Sequence, residues 1–89
     1  MDLPIVPCAC CGYLTVTDNY DICEVCGWEQ DSLQVADPDS CGANDATTLR
    51  MAQKNFEAFG ACDEHALKFR HGVLPAHKRD PLWKPLPVK

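Results

Sequence analysis

The sequence predicts a small metal-stapled α+β domain: a β-hairpin carrying two metal knuckles, packed on one main helix, with a short second helix and an extended Pro-rich C-terminal tail. Three observations predict it. The chain has 89 residues and seven cysteines, and a chain this short buries only a thin core unless something staples it. Four of those cysteines stand in two Cys-x-x-Cys steps, Cys8 with Cys11 and Cys23 with Cys26. One later segment has a clear helical period, and a proline-rich stretch follows it.

The elements follow in chain order within a single domain, residues 1–89. Residues 1–28 form the knuckle hairpin. The run Tyr13-Leu14-Thr15-Val16-Thr17 is rich in β-formers, Asp18-Asn19 is a turn signal, and Tyr20-Asp21-Ile22 leads into the second knuckle. The expected hairpin therefore turns at Asp18-Asn19 and carries one knuckle at each end. Residues 29–46 read as an acidic loop, with Asp37-Pro38-Asp39-Ser40 as a strong turn. Residues 47–70 are the helical segment. Leu49, Ala52, Phe56 and Phe59 recur at steps of three and four, Thr47 or Thr48 can cap the first turn, and Gly60 can take the left-handed conformation after the last. The spacing predicts a helix over residues 48–59 and a shorter one from Asp63 to about Phe69. Residues 71–89 hold Pro75, Pro81, Pro85 and Pro87, which favour an extended tail, with Trp83 as its natural anchor to the body.

The knuckles carry the chemistry. A Cys-x-x-Cys turn points two sulfurs at one ion, and two such turns supply a tetrahedral four-sulfur site. Both steps are followed by glycine, Gly12 and Gly27. A positive φ there lets the backbone approach closely and leaves N–H groups facing sulfur. The expected ligands are Cys8, Cys11, Cys23 and Cys26, around one structural Zn²⁺. Cys10 is the alternative to Cys8 or Cys11, but using it loses the step or the glycine register. Iron, as in a rubredoxin-like site, is a rival metal, although rubredoxin knuckles lie much further apart in sequence. A closed four-sulfur site has no open position for water or substrate, so the metal is expected to hold the fold rather than to catalyse. Cys62 and His65 have ligand-like spacing; their plainer reading is a buried cysteine beside a helix and a surface histidine. No phosphate loop, nucleophile elbow or His-Glu helix motif is visible, and the chain is read as non-enzymatic.

Charge and leader signals bound the setting. The net charge is −5, but residues 1–64 hold twelve acids and two bases, whereas residues 65–89 hold six bases and one acid. Four thiolates and one Zn²⁺ make the front half more negative still. Such a field repels phosphate backbones and attracts basic partners. The odd cysteine count and the absence of a basic-then-apolar start point to a reducing, cytoplasmic setting. No apolar stretch is long enough for a membrane span.

The run Cys8-Ala9-Cys10-Cys11-Gly12-Tyr13-Leu14-Thr15, then Cys23-Glu24-Val25-Cys26-Gly27-Trp28-Glu29, resembles the bacterial cysteine-rich CPCC domain. The resemblance continues through Asp37-Pro38-Asp39, Gly42-Ala43-Asn44, Leu49 and Asn55-Phe56-x-x-Phe59-Gly60-Ala61-Cys62, and reaches Arg79-Asp80-Pro81-x-Trp83. Three positions depart from that pattern. Ala9 replaces the proline of the family name, Gly27 stands where a bulkier residue is expected, and Met51 stands where a capping Glu would suit. None removes a ligand. The resemblance implies a zinc-ribbon-like domain, similar to the accessory and immunity proteins found beside bacterial polymorphic toxins.

These readings lead to a protein-binding module whose partner is a protein, such as a basic toxin or effector domain. The expected contact surface is acidic, with Glu29, Asp31, Asp37 and Asp39. The alternative is a nucleic-acid-binding zinc ribbon using Lys68, Arg70, Lys78, Arg79 and Lys84 with Phe69 and Trp83, which the acidic body opposes. A free-standing redox or metal-handling protein is the third class.

Overall fold

A Cys-x-x-Cys-Gly run can close a turn by itself, because the glycine accepts the positive φ the turn needs. In the structure, a computed structural model describing residues 4–87, this happens twice. At the first knuckle Gly12 N–H donates to the Cys8 carbonyl at 2.8 Å and Cys8 N–H to the Tyr13 carbonyl at 2.9 Å. At the second, Gly27 N–H donates to Cys23 at 2.8 Å and Cys23 N–H to Trp28 at 2.9 Å. Gly12 has φ 79° and Gly27 φ 86°.

The first knuckle is itself the hairpin turn. Strand β1 (Val6–Pro7) pairs antiparallel with β2 (Leu14–Val16), in the register Val6 with Val16 and Pro7 with Leu14, with a bulge between. This corrects the expected pairing across Asp18-Asn19. Tyr20, at φ 66°, bends the chain toward the second knuckle, where Ile22 and Glu29 make a single bridge. The reason is local: each knuckle already brings its own flanks together, so the flanks pair with each other and not across the intervening turn.

The acidic stretch contains a helix the sequence reading missed, α1 (Ser32–Ala36). Asp31 caps it by accepting from Leu33 N–H at 2.9 Å. Beneath it the fully buried Gln34 donates to the carbonyls of Ser40 and Thr47, both at 3.0 Å, and accepts from Asn44 at 2.9 Å. A buried amide with all these bonds made holds the stretch as a fixed layer, since leaving any of them unmade would cost more than each contributes.

Helix α2 (Leu49–Phe59) lies where the period placed it. Thr48 accepts from Met51 N–H at 3.2 Å, and Gly60 ends the helix at φ 80°, its N–H bonded to Phe56. Its inward face sets Leu49 and Ala52 in the core, with Phe56 and Phe59 against it. The second helical segment is a single 3-10 turn, His65–Lys68, with Ala66 buried. Of the thirteen apolar residues fully buried among the described ones, six are cysteines, so sulfur takes much of the place that aliphatic side chains fill elsewhere. Trp28 is the largest fully buried side chain.

Residues 70–87 return over the body. Leu14 N–H donates to Lys78 at 2.8 Å, Asp80 N–H to Gly12 at 2.9 Å, and Tyr13 bridges Arg79. Further on, Leu86 N–H donates to Gln53 at 2.7 Å, and Gln53 in turn donates to the Ala9 carbonyl at 2.9 Å. One glutamine on α2 thus ties the returning segment to the first knuckle.

Candidate metal centre

The four cysteines picked out by step and glycine register converge. The sulfurs of Cys8, Cys11, Cys23 and Cys26 all lie within 4.8 Å of one another, and all four residues are buried. Two separations between the knuckles, Cys8 to Cys26 and Cys11 to Cys23, are each 3.7 Å. Zinc–sulfur bonds of about 2.3 Å in a tetrahedron put neighbouring sulfurs ~3.8 Å apart. A disulfide would need about 2.05 Å. The spacing therefore fits four thiolates around one ion. Among the described residues this is the one cluster of metal-ligating side chains.

Electrostatics sets the cage thiols apart from one another. Burial pushes the Cys8 thiol well up, aided by the sulfurs of Cys11 and Cys23. Cys26 is pushed up by Cys10, Cys11 and Cys23 around it. Cys23 goes the other way: hydrogen bonds from Cys11, Cys26 and Cys8 hold its thiolate form. Burial and close sulfur neighbours thus oppose the thiolate form at Cys8 and Cys26 and favour it at Cys23. A divalent cation is what lets all four ionise together.

Cys10, the alternative ligand, is buried, but its sulfur turns to the Ala52 carbonyl of α2 at 3.3 Å. Cys62 is also buried, pushed up to about 12 chiefly by burial, and its N–H donates to the Cys26 carbonyl at 2.9 Å. His65 is exposed, edge-on to Phe69 at 5.7 Å. Thr15 is a neighbour that spacing alone does not reveal: its hydroxyl sits 2.9 Å from Cys23 Sγ. The N–H groups of Gly12 and Gly27 themselves close on the Cys8 and Cys23 carbonyls.

Each knuckle glycine is covered by a different element. A Cβ on Gly12 would lie 2.4 Å from the Trp83 ring, and one on Gly27 would lie 2.6 Å from the Ala66 Cβ. The bulkier residue expected at position 27 therefore has no room. The indole over Gly12 is part of a stack: the Arg79 guanidinium carbon is 5.1 Å from the Trp83 ring, 5.4 Å from Tyr13 and 6.0 Å from Phe56. Arg79 Nε also donates to the Cys11 carbonyl at 2.8 Å.

A family model described as Cysteine-rich CPCC matches residues 6–79. The chain belongs to the Cysteine-rich CPCC family. Both knuckles, α1, α2 and the Arg79 contact all lie inside the match. No curated protein and no solved structure matches the chain.

The four acids expected to face a partner occupy different settings in this CPCC domain. Asp31 is turned inward, 4 % exposed, and accepts from Leu33 and Ala43. The Ala43 N–H, helped by those of Leu33 and Gln34, holds its carboxyl below the ordinary value against the opposing effect of desolvation. The expectation that Asp31 presents a free carboxylate is thereby corrected: an aspartate before a short helix satisfies the helix first. Asp39 is exposed and pairs with Arg50 at 2.8 Å. Glu29 is half-buried, its backbone bonded to Asn44 in both directions. Asp37 is exposed.

Proposed function

We propose that this CPCC domain is a non-enzymatic, zinc-stapled protein-binding module, an inhibitor or immunity protein that captures a basic toxin or effector domain. The observation that carries it is the closed cage of four buried sulfurs. Filled by zinc, such a cage leaves no position for water or substrate, so function falls to the surface it supports. Charge supports the class of partner. Asp18, Glu24, Asp37, Asp39, Asp45, Glu57 and Glu64 are exposed, and the chain carries −5 before any thiolate is counted. A surface of that sign speeds encounter with a basic partner and discriminates against acidic ones.

The nucleic-acid alternative draws less support. Trp83, the aromatic residue it would stack on a base, is packed over Gly12 of the first knuckle.

The reading is tested by affinity capture from native lysate, with zinc measured on the same sample. Stoichiometric zinc and co-purification of a basic protein domain are expected. The charge-reversed pair Asp37→Lys and Glu29→Lys should weaken that capture. Capture that ignores both reversals would sink the acidic-surface version, and a bound nucleic acid in place of a protein would sink the class.

A further inference from the structure

A groove of about 480 Å³ runs between α2 and the returning C-terminal segment. Its walls oppose the charge of the molecule. Arg50, Lys54 and Arg79 line it against the single acid Glu57, in a chain whose net charge is −5. Its apolar part comes from Phe56, Leu86 and the two flanking prolines, Pro85 and Pro87.

The three cations are not equivalent. Arg50 is occupied: Nε and Nη2 reach Asp39, and Nη1 donates to the Pro87 carbonyl at 2.9 Å. Arg79 spends Nε on Cys11, and its guanidinium carbon lies 5.1 to 6.0 Å from three ring centroids, which hold it in place. Neither Nη group of Arg79 finds an acceptor among the described residues, nor does the exposed Lys54 ammonium. A guanidinium held in place loses little freedom when it binds, and its paired N–H groups match a carboxylate. The groove therefore combines an oriented guanidinium, a second cation and an apolar floor.

We propose that this groove binds a short acidic peptide segment, with carboxylates on Arg79 and Lys54 and an apolar side chain on Phe56 and Leu86. The apolar floor decides between ligand chemistries. A bare phosphate or a nucleic-acid backbone uses the cations and leaves the floor wet, whereas alternating acidic and apolar side chains use both. The site has the opposite sign to the acidic surface of the preceding reading and does not rest on it.

The test uses the zinc-loaded full chain and fluorescence anisotropy of a fluorescein-labelled, N-acetylated Glu-Leu-Glu-Leu-Glu peptide. Saturable binding is expected, and it should fall steeply between about 50 and about 500 mM salt. Lys54→Glu should weaken it by about tenfold, and Glu57→Gln should tighten it by a few-fold. The peptide with Gln in place of Glu should not bind. Equal binding of the Gln peptide, or indifference to both substitutions, would overturn the proposal. So would displacement by inorganic phosphate or single-stranded oligothymidine at lower concentration than by unlabelled peptide. Circular dichroism and zinc content confirm that each variant is folded.

Discussion

The two knuckles are one turn made twice, with the same pair of backbone hydrogen bonds and the same positive-φ glycine, yet they are built into the molecule differently. The first sits at the tip of a paired hairpin and is roofed by Trp83, more than seventy residues on from Gly12. The second has a single bridge at its base and is roofed by Ala66, on the 3-10 turn His65–Lys68 beyond α2. Turn chemistry is local and repeats wherever its residues do. The roof is a tertiary choice, and it settles how each half of the site responds to damage.

The largest expected effect ignores that difference. Stripping the metal with a chelator, or replacing Cys8 or Cys23 by serine, should unfold the chain, because the sulfurs make up much of its core and binding free energy here is folding free energy. Far-UV circular dichroism with zinc quantification checks it. Knuckles that differed widely in this assay would break their equivalence.

Alanine at the glycines should separate them. Both changes impose about 1–3 kcal/mol of left-handed strain. At Gly12 the obstacle is an indole at 2.4 Å, a side chain able to swing away. At Gly27 it is the Ala66 Cβ at 2.6 Å, which moves only with its backbone. Gly27→Ala should therefore cost the more, by a further ~1–3 kcal/mol of overpacking, in denaturant titrations. A larger loss from Gly12→Ala would show that the Trp83 roof is the stiffer one.

Trp83→Ala comes next. The ring is half-buried, so the loss should be about 1–3 kcal/mol, below that of a fully buried tryptophan. Amide exchange should quicken at Leu14 and Asp80, whose N–H groups bond across this seam, and stay unchanged at Gly27. Faster exchange at both knuckles would mean that the roofs are coupled.

The smallest effect lies outside both knuckles. Asp31 has its carboxyl held below the ordinary value, so its contribution is present above the unfolded aspartate range near pH 4 and fades as pH falls through the lower folded value. Stability should fall on acidification in the wild type, and Asp31→Asn should lack that share of the slope. Parallel pH curves for the two proteins would remove Asp31 from the balance.

What the sequence made legible was what neighbours decide. Knuckle spacing, glycine register and the α2 caps each depend on residues within a turn of one another, and the structure has them where the pattern put them. Helix α1 was hidden because five residues give no apolar period, and its anchor is the buried Gln34, which composition marks as a surface residue. Asp31 was misread for the same reason: in sequence a carboxylate that faces solvent looks like one that faces Ala43. The hairpin was misplaced because Asp18-Asn19 offers a good turn, while the better one was already present in the knuckle. The groove between α2 and residues 85–87 depends on the path of the return, which no local pattern encodes.

That the roof over the first knuckle comes from residue 83 has a consequence for how the site is filled. A ribosome delivers all four cysteines by residue 26, long before it delivers Ala66 or Trp83. The nascent chain thus holds a complete thiol set while both lids are still to be made. A metal that meets the chain at that stage would find four thiols with neither glycine yet covered.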